Sequence, residues 1–170
     1  TWNFKQFNLS FFEPAIYNLQ SVNGQVAGEF PLFYYIAAKF TEPEFALRCM
    51  HTLVFLCGIL SVYFIAFYFL ERALLSIFCT MLLFSSPLLV FYGNNLLSDV
   101  PALSFAFIGW AIFLPNYKKE NLFWITISFL CFALAALLKA SEAMHFGLLF
   151  VFLFKTKHQQ KRIQIVYVLA

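Results

Sequence analysis

The sequence predicts an all-α protein, a polytopic transmembrane helical bundle entered through an outer loop with juxtamembrane helices. Three observations predict it. Of the 170 residues, 62% are hydrophobic and only 11% are charged, where a soluble domain carries roughly 25% charged residues. Long apolar runs alternate with short polar joints: Thr52–Leu70, Ala73–Tyr92, Pro101–Leu114 and Leu122–Leu138, then a shorter run, Ala143–Phe154. The basic joints also alternate with acidic ones, which sorts them between two faces of a membrane. A spanning helix needs about 20 mostly apolar residues. The first two runs meet that length, and the others span if their polar ends are included or the bilayer thins locally. With 25 Phe, much of the apolar surface is expected to face lipid.

The chain divides into a first outer loop, residues 1–41, and a helical bundle, residues 42–170. The loop is aromatic but interrupted. Asn23-Gly24 and Gly28 break any long run, and Phe30–Phe40 is an apolar eleven-residue stretch, suited to a helix lying in the interface. Thr41-Glu42-Pro43-Glu44 fits a capping box, with Thr41 as N-cap and Glu44 at N3. The helix it starts should run to about Leu70. Pro87 lies inside the second run, where a kink is expected. Cys49, Cys57, Cys79 and Cys131 sit in or beside apolar runs without C-x-x-C spacing and read as small packing residues. The chain begins at Thr1 without Met and ends in an apolar run, Ile163–Ala170, that has only begun. The expectation is a fragment, with an odd number of spans upstream.

Charge assigns the faces. The joints at Glu71-Arg72, residues 117–120 and residues 155–162 hold seven Lys/Arg and two acids, and should be cytoplasmic. The other joints hold Lys5, Lys39, Arg48 and Lys139 against six acids, Glu13, Glu29, Glu42, Glu44, Asp99 and Glu142, and should be outside. Three outer segments therefore converge: Gly28-Glu29-Phe30-Pro31, residues 94–99, and Lys139-Ala140-Ser141-Glu142. Ionisable groups near membrane depth are expensive and tend to be functional.

Each polar residue has a structural and a functional reading. Asp99, in Ser98-Asp99-Val100-Pro101, either caps a helix or offers a carboxylate, kept ionised by the helix dipole, to a metal or sugar. Lys139 either snorkels from a helix end or lines a cavity as the partner of an anionic headgroup such as phosphate. Glu29 is either a solvated loop acid or a site carboxylate. Arg48 either pairs with Glu44 four residues earlier or reaches a phosphate. His51, His145 and His158 have no ligand spacing, and no P-loop, Rossmann, zinc or Ser–His–Asp signature is present. Nothing in the sequence points to nucleic acid.

The order of these pieces resembles the membrane-embedded GT-C glycosyltransferases, nearest to the protein O-mannosyltransferase and lipid A aminoarabinose transferase group. Three segments carry the resemblance: residues 28–35 (GEFPLFYY), a Pro followed by an aromatic juxtamembrane helix; residues 92–103 (YGNNLLSDVPAL), with an Asp before a Pro at a helix start; and Leu137-Leu138-Lys139-Ala140. They span about residues 24–145 of the chain. The resemblance implies an inverting enzyme of the GT-C fold that moves a sugar from a polyprenyl-phosphate donor to a lipid, glycan or protein acceptor. It implies a multi-pass protein of the bacterial inner membrane whose site faces the periplasm. The catalytic base would lie upstream of Thr1, with Glu29 matching the acid before the motif proline. Lys139, Arg48 and Asn95 would bind substrate, and Asp99 would hold metal (Mg, Mn or Zn) or donor. Phe30 stands where the aminoarabinose enzymes have a lysine, which weakens that particular activity. The rival class is a non-catalytic transporter or assembly subunit, in which an intramembrane lysine and a proline-kinked helix also occur.

Overall fold

The computed structural model describes residues 2–7, 10–12, 30–87, 89, 91, 96–119 and 121–154. Helix is the regular secondary structure of the described residues, among which there is no strand. Seven helices carry the description: α1 (Trp2–Phe7), α2 (Leu32–Ala38), α3 (Pro43–Leu70), α4 (Ala73–Phe84), α5 (Asp99–Asn116), α6 (Leu122–Leu138) and α7 (Ala140–Phe154), whose first turn, Ala140–Ala143, is a 3₁₀ turn. Two are long and apolar enough to cross a membrane: α3, with 28 residues, and α5, with 18.

α3 forms because nothing interrupts its apolar run after Pro43, which sits in the first turn where its missing N–H costs nothing. Its start departs from the expected capping box. The N-cap is Glu42, no side chain caps the end, and Glu44 turns to Arg48 instead, at 2.9 Å. Proline at N1 needs no cap for its own nitrogen, and an i,i+4 cation competes for the Glu44 carboxylate, which sits at N2 of the helix as formed. At the other end Glu71 stops the helix in the left-handed conformation, φ 54°, about where the apolar run ends.

The second apolar run does not make one long helix. α4 ends at Phe84, a turn at Ser85-Ser86 follows, and the chain is helical again at Pro87. The kink expected at Pro87 is therefore a two-residue interruption between helical segments. The residue before proline is pushed from helical to extended backbone, and the serine pair offers little to hold the helix together there. Conversely the third run gains residues at both ends to become α5.

The hydroxyls inside the helices satisfy themselves. Thr52 donates to the Arg48 carbonyl, Ser61 to Cys57, Ser76 to Arg72, Thr80 to Ser76 and Thr126 to Leu122, all at 2.7–2.9 Å. Such i−4 bonds leave no polar atom needing water. Large apolar side chains cover the outside, among them Leu53, Leu60, Phe64, Leu74, Met81, Leu130 and Phe150, each more than half exposed.

α5 is the centre. It buries Ala102, Ser104, Ala106, Gly109 and Phe113 between α3 and α6. Small residues let the backbones approach: Gly58 of α3 faces Ser104, and Gly109 of α5 lies against the fully buried Phe132 ring of α6. Ser128 locks the second contact by donating to the Gly109 carbonyl at 2.8 Å. A Cβ on Gly109 would lie 2.7 Å from Phe132 Cε1. Gly109→Ala is therefore expected to destabilise the fold by about 1–3 kcal/mol through overpacking, read as a lowered thermal midpoint in detergent. Gly147→Ala, whose Cβ meets nothing within 4 Å, is the control and should not lower it.

Candidate functional site

One end of the bundle gathers the start of α3, the start of α5, the end of α6 and the short helix α2. Phe33 and Ala37 of α2, Leu47 of α3, Ala102 of α5 and Leu138 of α6 form one buried cluster, with Phe30, Tyr34 and Leu96 against it. Phe33 sets its ring against His51 at 5.2 Å and Phe105 at 6.3 Å. Tyr34 Oη donates to the Leu96 carbonyl at 2.7 Å, which ties α2 to the segment leading into α5. The three sequence segments expected to converge outside do meet here, through their described residues.

On top of this cluster Asp99 and Lys139 form an ion pair. Each is placed by a helix end. Asp99 is the first residue of α5, after an N-cap Ser98 whose own backbone is helical (φ −70°, ψ −10°) and whose side chain makes no cap bond. The carboxylate goes to Lys139 rather than to a backbone amide, so the helix-cap role expected as one alternative is not the one its side chain plays. The dipole of α5 still favours its charge. Lys139 is the single residue between α6 and α7. It leaves helical geometry (φ −149°, ψ 119°), and its N–H returns to the Ala135 carbonyl. The lysine side chain is 44% exposed and the aspartate 24%. The ammonium has three donors; one carboxylate oxygen, Oδ1, meets it, and the exposed side remains open to an anion.

The other residues singled out in the sequence fall elsewhere. Arg48 is exposed and held by Glu44 through its Nη2, the local alternative. Glu29 and Asn95 lie outside the described residues. Asp99 is a single carboxylate, and among the described residues no group of three His, Cys, Asp or Glu is placed to hold a metal ion.

Sequence reasoning missed a second polar cluster one turn further on. Trp110 Nε1 donates to His145 Nδ1 at 3.1 Å, and His145 Nε2 lies 3.0 Å from Glu142 Oε2. His145 and Glu142 are 6% and 8% exposed. Because the indole is only a donor, Nδ1 must accept, so the ring proton sits on Nε2 and is donated to the Glu142 carboxylate. The ring also stacks on Phe132, 6.3 Å away with planes 12° apart. This cluster pins the 3₁₀ turn, in which the Glu142 amide bonds the Lys139 carbonyl at 2.9 Å. It thus fixes the backbone that presents Lys139. The available signal was the Glu-x-x-His spacing at the head of an apolar stretch; its partner, 35 residues earlier, had none.

A cleft of about 560 Å³ lies away from this site. Phe64, Ile65, Phe67, Tyr68 and Glu71 of the α3 end line it, with Ala111, Leu114, Pro115 and Lys118 at the end of α5. The chemistry of Asp99 and Lys139 makes theirs the candidate site; the cleft stands at the opposite ends of both helices. No family model, curated protein or solved structure matches this chain.

Proposed function

We propose that the chain belongs to a multi-pass membrane glycosyltransferase of the GT-C type. In this reading the Asp99–Lys139 end faces the exterior, the periplasm of a bacterium, and receives the phosphate of a polyprenyl-phosphate sugar. The observation that carries the reading is the ion pair at two helix ends beside the aromatic helix α2. The membrane part rests on α3 and α5 and on the apolar side chains that coat the bundle, a surface suited to hydrocarbon.

The reaction makes a bond from an acceptor hydroxyl or amine to the anomeric carbon and breaks the bond from that carbon to the donor phosphate, with inversion. Negative charge grows on the leaving phosphate. Lys139 is the fixed cation that meets it, and charge fixed before the reaction is worth most where water is excluded. Asp99 holds the ammonium in place until donor arrives. The acceptor proton goes to a carboxylate base, a role for which the resemblance offers Glu29 within this sequence. Were a divalent ion bound, Asp99 would be a carboxylate ligand to it, and the ion would supply further positive charge beside the donor phosphate.

Sugar transfer from a polyprenyl-phosphate sugar to acceptor, measured on the intact protein in proteoliposomes, tests the reading directly. Transfer that depends on both members of the pair supports it; absence of transfer with every polyprenyl-phosphate sugar offered contradicts it. Orientation has its own test. In a variant lacking the native cysteines, Glu42→Cys is expected to react with an impermeant thiol reagent from outside, and Lys119→Cys only after permeabilisation. The opposite pattern would put Asp99 and Lys139 on the wrong face.

A further inference from the structure

The cleft between the ends of α3 and α5 has a chemistry that sugar transfer does not use. Its walls are apolar: Phe64, Ile65, Phe67, Ala111 and Leu114. Its polar lining holds one cation, Lys118, and one anion, Glu71, with the Tyr68 phenol beside them. Glu71 and Lys118 form no ion pair with each other; the Lys118 ammonium hydrogen-bonds the neighbouring Tyr117 phenol at the rim of the cleft. A second phenol-bearing residue, Tyr117, follows α5, with the Lys118 ammonium 5.9 Å from its ring centre. Burial first, and then the nearby Tyr68, push the Tyr117 phenol above its ordinary pKa of 10.0. The Tyr117 phenol therefore stays protonated at neutral pH.

Glu71 stands at the left-handed C-cap of α3, so the helix ends at the cleft and its side chain lines it.

We propose that this cleft binds an aminophospholipid of the inner leaflet. One acyl chain lies along Phe64, Phe67 and Leu114, the phosphate meets Lys118 and Tyr68, and the primary ammonium meets Glu71. The charges decide between lipids. An anionic headgroup without an amine would leave Glu71 facing a negative charge. A choline headgroup carries its positive charge on a nitrogen with no N–H to donate. A headgroup with one phosphate and one primary amine matches both residues. The inner-leaflet side follows from the basic joints that flank the cleft, Glu71-Arg72 and Lys118-Lys119. The proposal rests on the membrane reading above but not on sugar transfer.

The purified protein is offered equimolar phosphatidylethanolamine, phosphatidylglycerol and phosphatidylcholine, and retained lipid is counted by native mass spectrometry. Preferential retention of phosphatidylethanolamine is expected. Lys118→Met should weaken it about tenfold, the usual scale for losing one charge-assisted contact. Glu71→Gln should move the preference to phosphatidylglycerol. Glycerophosphoethanolamine, which has no chains, should not compete at the same concentration. Both substitutions are on exposed side chains, and unchanged helicity by circular dichroism confirms that the variants fold. Equal retention of the three lipids, an unchanged preference in both variants, or displacement by the chainless headgroup would each overturn the proposal. Carbonate extraction of the protein from membranes is the separate test of the membrane reading.

Discussion

Lys139→Met is expected to reduce sugar transfer by about a hundred- to a thousandfold, and Asp99→Asn to do the same. Losing a charge-stabilising contact in a water-poor site costs roughly 2.7–4 kcal/mol of transition-state stabilisation. The two losses differ in kind. Methionine keeps the apolar stem of Lys139 but leaves the leaving phosphate without its cation. Asparagine keeps the shape of Asp99 but frees the ammonium to turn away from the α5 end. Both side chains are partly exposed, so the pair itself contributes little to stability, and both variants should insert and fold normally. The exchanged double variant, Asp99→Lys with Lys139→Asp, separates a structural from a catalytic role. It can restore an ion pair, but it moves the cation onto the α5 N-terminus, so transfer should stay low. Recovery of transfer by the exchange would reduce the pair to a clasp between α5 and α6.

The next largest effect is expected on stability. His145→Leu leaves two groups without their partner: the half-buried Trp110 N–H, which now donates to Nδ1, and the buried Glu142 carboxylate, which now accepts from Nε2. An orphaned buried polar group costs about 1–3 kcal/mol, more if charged. A loss of about 3 kcal/mol is therefore expected, seen as a lower midpoint in chemical or thermal unfolding. Removing Glu142 as well, in Glu142→Leu with His145→Leu, takes away the stranded charge and should recover part of it. If the single and double variants were equally unstable, the hydrogen bond would be incidental and the stacking on Phe132 would account for the loss. The same variant carries a functional consequence. The 3₁₀ turn pinned by Glu142 and His145 begins at Lys139, so loosening the turn should weaken donor binding even at temperatures where the bundle holds.

How far the sequence carried the structure depends on which interaction decided each element. α6 begins and ends where its apolar run does, at Leu122 and Leu138, because a polar joint bounds it on both sides. The end of α3 was readable for the same reason. The break at Ser85-Ser86 was not, since proline permits either a kink or a stop and local hydrogen bonding chooses. The capping box failed because Glu44 had a second suitor in Arg48, four residues on, and sequence alone does not rank the two. At the site, Asp99 and Lys139 stand out as charged residues at the edges of apolar runs, and their shared side followed from the alternation of joints. Their direct contact needed the packing of α5 on α6, which depends on Gly109 accepting Phe132. The Trp110–His145–Glu142 cluster needed that same packing, and its long-range member left no mark in the local pattern.

Binding of the donor's headgroup is the most direct test of the central claim, that the outer pair recognises a lipid phosphate. The intact protein in detergent is titrated with polyprenyl phosphate and, separately, with the corresponding polyprenol, which has the same chain and no phosphate. The account predicts tighter binding of the phosphate, by about tenfold or more, and predicts that Lys139→Met abolishes that difference while leaving polyprenol binding unchanged. Equal binding of the two lipids by the unaltered protein, or a phosphate preference that survives Lys139→Met, would contradict it.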